Sequence, residues 1–139
     1  MTLKETLLAS AKKAKTAMEA MERCGEGDGE RFSALLREYI LAKYLLDGGE
    51  EEEDLERLSH LSVERVVRLA AEPGFSYTDV PGCTGQSSAT EKKILLLLKI
   101  RDTLAKELPV EELIGARTLP RLAQVIFAAR FGKRGQNGR

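Results

Sequence analysis

Apolar residues along this chain recur mostly at steps of three and four, the spacing that gathers side chains on one face of an α-helix. The densest run lies between Glu91 and Leu108. Ile94, Leu97, Leu98, Leu104 and Leu108 share a face there with Arg101, and Leu95, Leu96 and Ile100 widen it. So broad an apolar surface predicts a helix buried over most of its circumference, with others packed around it. Ser88 stands three residues before Glu91, the capping-box spacing that satisfies unpaired amides at a helix start. The run should stop at Leu108-Pro109, because proline disfavours the helical conformation of the residue before it. A short acidic turn, Val110 to Ile114, and Gly115 follow. Thr118 then caps a last helix from Leu119 to about Phe131, with Pro120 accommodated in its first turn.

Upstream, Leu3, Leu7, Ala11, Ala14, Met18 and Met21 mark one face of a first helix, Leu3 to Arg23, with a capping box at Thr2 and Glu5. The glycines of Cys24-Gly25-Glu26-Gly27-Asp28-Gly29 break it, since glycine loses the most backbone freedom in a helix. Phe32, Leu35, Leu36, Tyr39, Ile40 and Leu46 mark a second helix, Glu30 to Leu46, and the short connection predicts an antiparallel hairpin. Glu50 to Asp54 reads as a solvated acidic linker or a helix start. A third helix, in one or two pieces, runs through Leu55, Leu58, Leu61, Val66, Val67 and Leu69 and ends before Pro73-Gly74. From Phe75 to Ser87 the composition turns to Ser, Thr, Gly, Pro and Asp. A loop of about a dozen residues in a small protein is usually a functional one. No stretch alternates convincingly enough for a strand. The expectation is an all-α protein, a helical bundle of five to six helices with no sheet.

Composition narrows the function classes. With 22 acidic and 22 basic residues the formal net charge is zero, which argues against a general nucleic-acid binder. Cys24 and Cys83 are too few and too far apart to frame a disulfide scaffold or a zinc site, and read as reduced thiols. No apolar run reaches the roughly 20 residues of a spanning helix, so no membrane role is expected. The N-terminal residues lack the apolar core of a secretory signal, which makes the cytoplasm the expected location.

Little in the chain suggests catalysis. His60, the only histidine, lies beside Leu61 with no Cys or Asp partner nearby in sequence and reads as a structural residue. No nucleophile elbow surrounds either Ser87 or Ser88. Gly82-Cys83-Thr84-Gly85 has the glycine spacing of an anion-binding loop but lacks the Lys-Ser/Thr pair of a phosphate-binding one. Tyr39 and Tyr44 read as core or interface. The expectation is a protein that is not an enzyme, with no catalytic residues and no metal.

Three motifs in this order resemble the acyl and peptidyl carrier family. Gly85-Gln86-Ser87-Ser88 stands for its Gly-x-x-Ser, and Ile100-Arg101-Asp102-Thr103-Leu104-Ala105-Lys106-Glu107-Leu108-Pro109 for its I-R-x-x-L-x-x-E-L-P. Thr118-Leu119-Pro120-Arg121-Leu122-Ala123 stands for the start of its last helix. The match covers about Asp54 to Phe131. It departs where the family has Asp-Ser-Leu and this chain has Ser87-Ser88-Ala89, and where Ser88 to Pro109 is two residues longer than the family spacing. The resemblance implies a phosphopantetheine arm on Ser88, with Ser87 as fallback and Gly85 in the binding loop. That arm would hold an acyl or aminoacyl group for partner enzymes, and Lys92, Lys93 and Lys99 would lie on the partner surface. The chain then divides into an N-terminal hairpin packed on the rest (1–49), a carrier-like helical domain (50–131) and a basic tail (132–139). Two other classes stay open. One is a non-catalytic helical adaptor or complex subunit. The other is a nucleic-acid accessory protein, suggested by Lys12, Lys13, Lys15 and the basic tail.

Overall fold

The computed structural model describes residues 3–46, 51–70 and 89–131. Among the described residues there are six helices and no strand. They are α1 (Leu3–Arg23), α2 (Gly29–Lys43), α3 (Leu55–Ala70), α4 (Ala89–Leu104), α5 (Val110–Gly115) and α6 (Leu119–Arg130). The chain is all-α, as its three- and four-residue periodicity predicts. No described helix is long and apolar enough to cross a membrane.

α1 and α2 pack along their length as a hairpin. α1 turns Ala14, Ala17, Met18 and Met21 inward, and α2 answers with Phe32, Leu35, Leu36, Tyr39 and Ile40. The turn between them closes on Asp28. Its carboxylate accepts from the Gly25 amide at 2.8 Å, and its own amide donates to the Gly25 carbonyl at 3.0 Å. α2 then packs on α6, with the Phe32 and Phe127 rings 5.3 Å apart and tilted. Hairpin residues therefore share one apolar core with Leu97, Ile100, Leu104, Leu108, Leu113, Leu122 and Ile126. Each such side chain stabilises the fold by roughly 1.5–3 kcal/mol through removal from water.

Two helix ends differ from the sequence expectation. α2 closes at Tyr44, not Leu46: Leu45 adopts φ 60°, its amide donating to Ala42 and the Leu46 amide to Leu41. This paired arrangement satisfies carbonyls that the helix end would leave free. α4 stops at Leu104, short of the expected Leu108. The chain turns at 105–108 so that Leu108 drops fully into the core, and Arg101 Nε donates to the Leu108 carbonyl at 2.6 Å to close the turn. Nor is α4 apolar-buried all round. Leu96, Leu97, Ile100 and Leu104 face the core, while Leu95 points to solvent, 63% exposed. The acidic turn expected at 110–114 is the helix α5.

The starts of α3 and α6 are tied together. Leu55 donates to the Arg117 carbonyl at 2.9 Å and Leu119 to the Glu53 carbonyl at 2.8 Å, a single antiparallel bridge between Asp54 and Thr118. Both bridge residues are caps: Thr118 Oγ1 accepts from the Arg121 amide at 3.3 Å, and Asp54 Oδ1 from the Arg57 amide at 3.0 Å. The acidic run before α3 is thus structural at its end. Glu52 Oε2 accepts from the Asp54 amide, and Arg37 on α2 pairs with Glu53 at 3.5 Å and donates to the Glu52 carbonyl. At the other end of α6, Arg130 donates to the carbonyls of Leu104 (3.1 Å) and Glu22 (3.2 Å). One cation serves the C-terminal ends of α4 and α1, where helix dipoles favour positive charge.

Candidate functional site

The carrier resemblance centres on the residue before α4. Ser88, Ser87, Gly85 and Cys83 lie outside the described residues, as do Thr2 and the tail 132–139. What the structure describes is the seam that α4 forms with α3 immediately after that point.

α3 and α4 pack against each other, and Glu56, two residues into α3's capped first turn, is the hub of their polar edge. Its Oε1 pairs with Lys93 Nζ at 2.9 Å. Its Oε2 accepts from Thr90 Oγ1 at 3.1 Å and lies 3.6 Å from His60 Nε2, one turn further along α3. The Lys93 hydrogen bond, supported by Thr90 and by the nearby charges of Lys93 and His60, outweighs partial desolvation and holds the Glu56 carboxyl below the usual glutamate range. The first two turns of α4 are thereby fixed to the first turn of α3.

Beneath this edge lies a buried polar cluster. Ser59 and Ser62 on α3 are fully buried, and both address Tyr44 at the end of α2. Ser62 Oγ donates to the Tyr44 carbonyl at 2.9 Å, and Ser59 Oγ donates to the Leu55 carbonyl at 3.0 Å. Tyr44 Oη and Ser59 Oγ are hydrogen-bonded at 2.8 Å, a contact in which either hydroxyl can donate. Burial, with the Glu56 charge adding to it and the Ser59 hydrogen bond opposing it, pushes the Tyr44 hydroxyl up to about 12. Lys92 Nζ lies 5.8 Å from the centre of the Tyr44 ring, a cation–π distance. Three helices converge on this one tyrosine.

The three candidate lysines therefore occupy different surroundings. Lys92 and Lys93 are drawn into the α3–α4 seam, Lys93 retaining only 18% side-chain exposure, whereas Lys99 is exposed. His60 is a surface residue beside Glu56. Cys24 is a buried free thiol. Tyr39 and Tyr44 are core residues, as their spacing implies. No protein-family model, curated protein or solved structure matches this chain. Among the described residues no three His, Cys, Asp or Glu side chains gather where a metal could sit.

Sequence reasoning missed the Glu56 hub and the Tyr44 cluster. The Glu56–His60 spacing of four was readable on one helix. The Glu56–Lys93 and Tyr44–Ser59 pairs join residues far apart in sequence, and no local pattern signals them.

Proposed function

We propose that this chain is a divergent carrier-like protein, holding an acyl or aminoacyl group for partner enzymes on a phosphopantetheine arm attached at Ser88, with Ser87 as the fallback. The observation that carries the reading is the order of the described elements. α3, the interval 71–88, α4, the short α5 and the Thr118-capped α6 follow the order of the family's parts. The resembling residues also do structural work: Arg101 closes the turn after α4, and Leu119, Leu122 and Ala123 pack into the core. No catalytic step is assigned to the chain, because a separate transferase would attach the arm.

The test is intact mass after co-expression with a broad-specificity phosphopantetheinyl transferase. One phosphopantetheine should be added, and Ser88→Ala should abolish the addition while Ser87→Ala leaves it. Absence of modification on both serines would retire the carrier reading. The second reading, a helical adaptor or complex subunit, then takes its place. It is favoured by the exposed Leu95 and Val67, apolar side chains that α4 and α3 leave facing solvent.

A further inference from the structure

The outer face of α3 has features that its role in the α3–α4 seam does not explain. Val63, Glu64, Val67 and Arg68 line a shallow surface groove. Val67 is 62% exposed on α3, which buries Val66 and Leu69 on its other side. Val63 and Val67 are one turn apart, as are Glu64 and Arg68, so an apolar row runs alongside a charged row. Glu64 and Arg68 are both exposed, and among the described residues neither takes part in an ion pair. Among the described residues the face thus presents an exposed Val67 and a half-buried Val63 beside one positive and one negative charge, neither in an ion pair.

We propose that a second copy of this chain covers that face, as a two-fold symmetric dimer of antiparallel α3 helices. A two-fold contact brings the same patch together with itself, so it requires self-complementarity. This patch has it. With the axis near Arg65 and Val66, the Glu64 of each copy lies beside the Arg68 of the other, and the two valine pairs meet between them. A zero net charge removes the long-range repulsion that would oppose two copies. One helix face covers less than the roughly 1,200–2,000 Å² of a standard stable interface, so the dimer is weak and concentration-dependent. Its charge pairs are exposed, so salt weakens it further. The inference is independent of the carrier reading, since neither serine takes part.

Sedimentation velocity on the full chain, from about 10 µM to about 1 mM at low and high salt, tests it in the range where small interfaces associate. The chain should pass from monomer to dimer as concentration rises, less readily at high salt. Glu64→Arg and Arg68→Glu each set like charges opposite one another twice per dimer, and each should weaken association by roughly tenfold or more. The double variant Glu64→Arg/Arg68→Glu should restore it. Circular dichroism on all three, at exposed positions, checks that helicity is unchanged. A monomer at every concentration, or a dimer showing any other response to the three variants, overturns the proposal.

Discussion

Tyr44 shows how much one side chain can organise. Its ring lies in the core, its hydroxyl is hydrogen-bonded to that of Ser59, and its carbonyl accepts from Ser62. The hydroxyl is raised from the usual value of 10.0 to about 12, so the folded protein holds this proton more tightly than the unfolded chain. The stability tied to it is fully present below about pH 10 and is lost as pH rises through about 12. A shift of this size corresponds to roughly 2–3 kcal/mol. Denaturant titrations at several pH values across that window should show a steeper loss in the wild type than in Tyr44→Phe, which has no proton to release. Equal slopes would place the hydroxyl in contact with water. Burial of Tyr44 was legible from helical spacing, but the two serines were not. Serine in a helix carries no periodic signal, and its partner here is a carbonyl at the end of another helix.

At the scale of elements, caps and breakers were the reliable guides. Thr118 with Pro120 and the glycine turn after Cys24 stand where their chemistry puts them. Asp54 capped a helix from inside a run of glutamates, where a solvated linker was an equally good reading, and only the Thr118 bridge distinguishes the two. α4 departs furthest from expectation. Four consecutive leucines made every side of it look apolar, yet α4 packs on α3, α5 and α6 through Leu96, Leu97, Ile100 and Leu104 and leaves Leu95 to solvent. Truncating the fully buried Leu97 to alanine should cost roughly 2–5 kcal/mol, the range for core leucines. Leu95→Ala, on the exposed side, should stay within about 0.5 kcal/mol, as surface changes generally do. Chemical denaturation of the two variants checks the difference, and similar losses would mean that α4 has a second buried face.

For the whole molecule, the α2–α6 contact makes the hairpin part of a shared core. Deleting it exposes the apolar side chains of α6 that Phe32 and its neighbours cover, and a smaller unit buries a lower fraction of its surface. A variant beginning near Glu50 should therefore melt well below the full chain or fail to stay in solution, as read by calorimetry. An equally stable truncation would show that α3 to α6 need no hairpin. The all-helical class was legible at this scale because helical periodicity is written along each segment. Which helix lies on which was not, since the Phe32–Phe127 contact depends on packing between distant parts of the chain. The candidate site was legible only as a motif. The serines themselves lie outside the described residues, and the seam that follows them in sequence is built from α2, α3 and α4 together.

Arg130 has a consequence for time as well as for structure. Its hydrogen bond to the Glu22 carbonyl joins residues 108 apart in sequence. A contact of that span closes only when α1 and α6 are docked together, and the chain entropy of ordering the loop is given up before the contact returns any stability. The expectation is that it forms after the rate-limiting barrier, where an interaction slows escape from the folded state without hastening arrival. Stopped-flow folding of Arg130→Met should show a folding arm within about twofold of wild type and unfolding roughly tenfold faster. A slower folding arm would put the junction inside the nucleus. The guanidinium that ties α6 to the ends of α1 and α4 would then act less as a builder of the fold than as a latch that sets its lifetime.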